Sequence, residues 1–478
     1  MTWAISQPKG RTLIPFALGL LTGAAQLTPL FLKIAPLLGI PLFLWTQGRF
    51  FTNKRDAIFA LGFFKWGYYT IALYWIMIAL SIDMTHFWWM VPFALLGLPF
   101  ILALFSVCLS WLIPWYKTSN TLIRLLLFAC VWTLSEGLHS YLFTGLPWGL
   151  LAYIWAPLLP MCQSVTFLSI YGLSFFTILL AGLPLLCFTK TRYHLPFSLA
   201  LMAFFCGLYL WGTYRLHTHP SQRSTHYVRL VQPNIEQEIK WDDAHQKENL
   251  RTLMRLSTRP SKHPLQAIIW PESALTYTLS PSLLRLLDQY LPKGTLLITG
   301  ALRYQTKAPS YEVWNSLYVI GEGTVKATYD KTHLVPFGEY VPLRAEIEAI
   351  VGETSFKKVA HGLKDITFGK ERQSIHTEQL PAFYPLICYE IIFPYPNLKH
   401  FDVPPQWILN LTNDAWYGDT AGPYQHLDIA RFRAIETGLP VIRVANTGIS
   451  AVIDRYGRLL ESLPFNTQGV IDAALPIG

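Results

Sequence analysis

Charge is scarce in this 478-residue chain: Lys, Arg, Asp and Glu make up only 14%, against 52% hydrophobic and 15% aromatic residues. That balance is far from an ordinary soluble protein, and a mean hydropathy of +0.31 points to lipid. The shortage is concentrated before about residue 212; beyond it the composition is that of a normal globular domain. Zinc-ligand spacing, a basic arm and RNP-like aromatics are all missing, which argues against nucleic acid as a partner. The net charge of +9 suits a protein beside anionic headgroups. Cysteine is also sparse. Five of the six (Cys108, Cys130, Cys162, Cys187, Cys206) lie in the apolar half without ligand spacing, as small membrane-facing or helix-packing residues. Cys388 is left alone. An unpaired cysteine facing an oxidising compartment is a liability unless its thiol is used.

What is abundant before residue 212 is long apolar sequence. Runs able to span a bilayer fall at 12–30, 31–46, 57–80, 89–113, 121–140, 164–188 and 195–212, the second containing Pro36. The first run is longer than a signal core and more follow it, so no cleavable signal peptide is expected. Lys9 and Arg11 precede the first span, Arg49, Lys54 and Arg55 follow the second, Lys117 and Arg124 bracket the gap after the fourth, and Lys190 and Arg192 follow the sixth. The alternate loops, 28–29, 81–87 and 139–163, carry no Lys or Arg. This positive-inside pattern predicts a cytoplasmic N-terminus, and seven spans then deliver residues beyond about 213 to the outer face of the membrane, which in a bacterium is the periplasm. Two domains are expected: a transmembrane helical domain over 1–215 and a catalytic domain over 216–478. Trp88, Trp89, Trp111, Trp115 and Trp148 near span ends read as an aromatic belt. Lys65 and Glu136 are ionisable groups inside spans and therefore functional candidates, against a snorkelling or hydrogen-bonding role. Glu136 precedes the uncharged stretch Thr144-Gly145-Leu146-Pro147-Trp148-Gly149, where a lateral lipid entrance lined by Glu136 and Trp148 is expected.

From Tyr227 onward short β-rich runs alternate with polar segments. Strands are predicted at 227–232, 267–270, 296–300, 316–320, 383–388, 407–410, 441–446 and 451–454, and helices at 243–257, 281–290 and 423–437, which suggests an α/β sandwich. Three phrases in it end hydrophobic runs: Trp270-Pro271-Glu272-Ser273, Tyr329-Asp330-Lys331-Thr332-His333, and Leu386-Ile387-Cys388-Tyr389-Glu390. A glutamate, a lysine and a cysteine make a complete acyl-transfer centre. The cysteine is the nucleophile, the carboxylate takes its proton, and the lysine holds the oxyanion together with the backbone N–H of Tyr389. No metal or organic cofactor is then needed. Tyr389 and Glu390 flank the nucleophile and are expected to position it. Trp241 is a candidate for the acyl-chain path, whereas Asn410, Asn413 and Arg443 at strand ends read as structural hydrogen-bonding groups.

These phrases carry a resemblance. The Glu272–Lys331–Cys388 set resembles the nitrilase (carbon–nitrogen hydrolase) superfamily, which implies an α-β-β-α sandwich. The longer phrases Val231-Gln232-Pro233-Asn234-Ile235, Lys331 to Pro342, Asn413-Asp414-Ala415-Trp416-Tyr417-Gly418, Gln425-His426-Leu427 and Asn446-Thr447-Gly448-Ile449-Ser450 resemble the apolipoprotein N-acyltransferase family. Because that family also has a multispan domain first, the likeness covers nearly the whole chain. It implies a ping-pong transfer of an acyl group from a phospholipid, through a cysteine thioester, to the N-terminal diacylglyceryl-cysteine of an apolipoprotein. It further implies that Glu339 is a second essential carboxylate, near the Lys331 ammonium or orienting the amine. Two departures stand out: the chain stops at Leu475-Pro476-Ile477-Gly478 without the family's usual last span, and Leu439 stands where arginine is more frequent. A bundle of this size favours a monomer. The alternative is a membrane-anchored nitrilase-type amidase with water as acceptor.

Overall fold

The computed structural model describes residues 10–51, 53–187, 192–305, 311–351, 358–359, 364–394, 398 and 401–478. Lys9 and Lys190, used above for orientation, lie outside the described residues. The chain divides at Pro220/Ser221 into two compact units, with Ile82–Met84 grouped with the second.

The first unit is helical. Its main helices are α1 (Gly10–Gly23), α2 (Pro36–Phe50), α3 (Lys54–Ala72), α4 (Leu98–Leu112), α5 (Thr121–Tyr141), α6 (Val165–Cys187) and α7 (His194–Thr218). Asparagine caps start two of them: Asn53 accepts from Asp56 N at the head of α3, and Asn120 from Leu122 N and Ile123 N at the head of α5. Among the described residues, five helical stretches are long and apolar enough to cross a membrane: Leu30–Phe50, Met84–Leu112, Thr121–Thr144, Val165–Cys187 and His194–Thr218. The other two predicted spans fall short for physical reasons. α1 has only 14 residues, and α3 carries Lys54, Arg55, Asp56 and Lys65. Those two helices pack closely on each other. A Cβ at Gly19 would sit 2.0 Å from Phe64 O, and one at Gly67 would sit 2.1 Å from Phe16 O.

Apolar side chains face outward along the bundle, among them Phe31, Phe59, Phe100, Leu112, Leu195 and Leu210. Polar ones lie inside, an arrangement suited to lipid. Trp88, Trp89 and Trp111 are exposed as a belt requires, but Trp115 and Trp148 are buried. Those two pack in the interior, Trp148 with its ring 4.5 Å from that of Trp75.

The second unit has two sheets. The six-stranded one has the order β11-β1-β2-β3-β4-β5 and the five-stranded one β10-β9-β8-β7-β6. In chain order the strands are β1 (Arg223–Gln232), β2 (Ala267–Ile269), β3 (Leu296–Gln305), β4 (Glu312–Gly321), β5 (Thr324–Asp330), β6 (Phe383–Ile387), β7 (Trp407–Thr412), β8 (Val441–Ala445), β9 (Ser450–Ile453), β10 (Leu459–Leu463) and β11 (Gly469–Pro476). Their helices are α8 (Gln237–Lys240), α9 (Asp243–Ser257), α10 (Pro281–Tyr290), α11 (Arg344–Val351) and α12 (Gly422–Thr437).

Leu230, Ile269, Ile298 and Leu317 of one sheet pack face to face with Phe383, Leu409, Ile442 and Val452 of the other, forming a dry central core. On the outer face of the larger sheet, Leu253, Leu256 and Leu287 of α9 and α10 cover Ile268 and Leu297. This is the nitrilase-like α/β fold. All eight predicted strands and all three predicted helices are present within a few residues. β5, β10 and β11 went unpredicted. β5 is a half-exposed edge strand, and β11 is defined by pairing with β1 across the whole domain, where Arg229 meets Asp472 in a two-pronged ion pair at 2.6 Å.

Candidate active site

The site is assembled from turns that follow strands. Four of the motif phrases contain a non-glycine residue in the left-handed region: Asn234 (φ 53°), Ser273 (φ 46°), Phe337 (φ 61°) and Cys388 itself (φ 51°). Such conformations cost on the order of 1–3 kcal/mol each and persist only where the surroundings over-determine them. The Glu272 turn owes its position to Gly300 on β3. A Cβ there would lie 2.4 Å from Ser273 N and 2.8 Å from the Glu272 Cα.

Glu272 Oε1 accepts from Asn315 Nδ2 at 2.9 Å and lies 3.7 Å from Lys331 Nζ. Its other oxygen, Oε2, is buried with no hydrogen-bond partner among the described residues. Lys331 is 1% exposed and donates to Glu339 at 2.9 Å. Glu339 in turn accepts from Asn315 Nδ2 at 3.1 Å and from Val335 N at 2.9 Å. Its carboxylate is therefore taken up in holding Lys331.

Cys388 opens a tight turn, Cys388–Ile392, directly after β6. Burial pushes its thiol up to about 12; Glu272 adds to the rise, and Lys331 opposes it. The resting residue is thus a neutral thiol within the electrostatic reach of Glu272, whose second oxygen is unspent. Lys331 shows the opposite balance. Burial alone pulls its ammonium down, but Glu339, Glu272 and Cys388 together hold it above the ordinary lysine range.

Glu390 is the pin of the turn. Its Oε1 accepts from Tyr329 OH (2.9 Å), Thr332 N (2.8 Å), Thr332 Oγ1 (2.8 Å) and His333 N (3.0 Å), and its Oε2 from Ile387 N (2.8 Å). One carboxylate so ties the Lys331 loop to the Cys388 turn. Tyr389 is buried, its ring 5.1 Å from that of Phe393. Behind the turn, Asn410 Nδ2 bonds the carbonyls of Leu386 (3.3 Å) and Cys388 (3.4 Å). Asn410 is held by Arg443 Nη1 at 2.5 Å, and Arg443 pairs with Asp414 at 2.6 Å. Trp241 ends α8 and is half-buried beside Lys240. Glu136 and Trp148 belong to the first unit. There Glu136 Oε1 accepts from Trp132 Nε1 and from Leu151 N, both at 2.8 Å.

The carbon-nitrogen hydrolase family matches residues 227–478, and the apolipoprotein N-acyltransferase N-terminal domain matches residues 18–183. An apolipoprotein N-acyltransferase of Brucella melitensis is 37% identical over 425 residues, covering 86% of this chain and 78% of its own. That of Rickettsia typhi is 36% identical over 477 residues, covering 97% and 92%. This chain belongs to the apolipoprotein N-acyltransferase family. Among solved structures, an amidase from Nesterenkonia sp. is similar at 17% identity, over 53% of this chain and 92% of its own, with a TM-score of 0.37.

As a member of the apolipoprotein N-acyltransferase family the chain is an acyltransferase. Two residues at this family site were missed from sequence. Asn315 bridges both carboxylates; its only signal was an amide in the apolar run of β4. Lys240 donates to Glu272 O at 3.1 Å, and nothing in its short polar helix distinguished it from a solvated lysine.

Proposed function

We propose that this acyltransferase moves an acyl chain from a phospholipid to the α-amine of an apolipoprotein's N-terminal diacylglyceryl-cysteine, through a thioester on Cys388. The unspent Oε2 of Glu272 in the presence of a neutral, buried thiol is the observation that carries this reading. Glu272 takes the thiol proton as sulfur attacks the ester carbonyl. Lys331, aided by the backbone N–H of Tyr389, holds the oxyanion. Collapse of the tetrahedral adduct breaks the ester C–O bond, and Glu272 returns the proton to the departing lysophospholipid alcohol. The acceptor amine then attacks the thioester. Glu272 takes its proton, the C–S bond breaks to leave an amide, and the proton goes back to the thiol. Glu339 and Asn315 fix Lys331 and Glu272, and Glu390 fixes the turn. Trp241 is assigned to substrate binding in the catalytic unit, and Trp148 and Glu136 to substrate binding in the helical unit.

We read all seven main helices of the first unit as spans, with α1 and α3 as the two marginal ones. The basic residues Arg49, Arg55, Lys117 and Arg124 cluster at the α2–α3 and α4–α5 connections and the adjoining helix ends, a pattern that supports a cytoplasmic N-terminus and a periplasmic catalytic unit in the bacterial inner membrane. The protein is assigned as a monomer. Acyl trapping tests the mechanism: detergent-purified protein is given phospholipid labelled in its acyl chain, with Cys388→Ala as control. Hydroxylamine-labile label that requires Cys388 and then passes to a diacylated lipopeptide amine is expected. Label lost to water but never to the amine would make the protein an amidase, and absence of label on folded protein would refute the thioester.

A further inference from the structure

Three of the motif phrases have no part in the chemistry above, yet they converge on one short segment. Asn446 Nδ2 donates to Ile235 O at 2.8 Å, and its Oδ1 accepts from Ile235 N at 3.1 Å. The same Nδ2 donates to Asn413 Oδ1 at 3.0 Å, and Asn413 Nδ2 donates to Gln237 Oε1 at 2.7 Å. Asn234 N reaches Asn446 O at 3.3 Å, and Asn249 of α9 holds Ile239 O at 3.4 Å. Side-chain amides from three separate places in the fold, Asn249, Asn413 and Asn446, thus hold residues 234–239. So many buried amide bonds spent on one helical turn suggest that what the turn carries must be placed accurately.

What it carries is Lys240, 3% exposed, with Nζ donating to Glu272 O at 3.1 Å. An ammonium has three donors, and this carbonyl is its one acceptor among the described residues. The ionisable groups facing it are Glu272, on the loop after β2, and Cys388, on the β6 turn. Along its own stretch Glu236, Glu238, Asp242, Asp243 and His245 are exposed. Lys331 is ion-paired with Glu339 at 2.9 Å and so is largely neutralised by a carboxylate, whereas Lys240 is not.

We propose that Lys240 is a positioning residue of the acylation step, anchoring the Glu272 backbone and supplying a second positive charge that favours the Cys388 thiolate. This rests on Cys388 being the nucleophile, as argued above. Burial draws the Lys240 ammonium down to about 8, with Glu272 and Cys388 opposing the fall, so its charge is present at neutral pH and lost above it.

The test is alkylation of Cys388 by iodoacetamide in the full-length, detergent-solubilised protein, read at that cysteine by peptide mass spectrometry from about pH 6.5 to 10. Wild type, Lys240→Met and Lys240→Arg are compared. At pH 7 the Met variant should react roughly tenfold more slowly, the effect of about one pK unit on the thiol. The gap should close near pH 10, where wild-type Lys240 is itself neutral. The Arg variant should match wild type at pH 7 and exceed it at pH 10. A Met-to-wild-type ratio that stays constant with pH would reduce Lys240 to a structural role and overturn the proposal. If the Met variant does not fold, the Arg variant decides alone: no advantage over wild type at pH 10 overturns it. Alkylation needs no lipid, so a negative result here leaves the thioester mechanism standing, and failed acyl trapping leaves this result intact.

Discussion

Replacing Glu390 with Gln changes one oxygen to an NH2 and leaves the side chain's shape intact. The better of the two amide orientations keeps oxygen at the crowded Oε1 position, where four donors converge, and turns the NH2 toward Ile387 N. That replaces one charge-assisted bond by two facing donors and weakens the other four. A hydrogen bond to a charged group contributes about 1.5–3 kcal/mol, so the substitution should cost the domain about 2–4 kcal/mol. The same pin holds Ile387 and Thr332, the neighbours of Cys388 and Lys331, so misplacement should also slow acylation by about 100-fold. Glu390→Ala is expected to be worse, because it strands the part-buried N–H groups of Thr332 and His333 and the buried one of Ile387. Thermal unfolding followed by tryptophan fluorescence, with the rate of hydroxylamine-labile labelling, measures both effects. A Glu390→Gln protein with wild-type melting and a labelling rate within threefold of wild type would refute the reasoning.

Gly300→Ala should displace the Glu272 turn, since both clashing groups are backbone and neither can rotate away. The expected result is a folded protein with acylation lowered by at least about tenfold, checked by the same labelling; an unchanged rate would show that the turn is not seated on β3. The catalytic unit should also lose stability in mild acid. His426 is fully buried; burial, reinforced by Arg443, lowers its pKa to about 4. The unfolded chain therefore takes up a proton below about pH 6.5 that the folded one refuses. This contribution is complete above pH 6.5 and lost as pH falls to 4, about 3 kcal/mol in all. Melting temperatures across that range should fall more steeply for wild type than for His426→Gln, and equal slopes would remove His426 as the cause.

The sequence by itself determined a great deal here, because its strongest signals are local. Apolar runs, the alternation of strands and helices, and three phrases carrying Glu272, Lys331 and Cys388 are all readable without knowing which residues meet. Glu390 and Asn410 could be singled out from their position beside the candidate nucleophile or at a strand end, though not the partners they bond. What the tertiary structure decided was which polar groups are spent and which are free. Glu339 is consumed by Lys331 and Asn315, while Glu272 keeps an oxygen, and no spacing in the chain distinguishes those two carboxylates. Trp148 and Trp115 could be placed near span ends but not assigned to the interior, since burial depends on neighbours contributed by other helices. Lys240 lay in a polar turn with the look of solvated surface. It became part of the site only through Asn413 and Asn446, which lie some 170 to 210 residues away in sequence and reach the segment that carries it. Hydrogen bonds between residues so far apart leave no periodicity in the chain, and they form only once both sheets have packed.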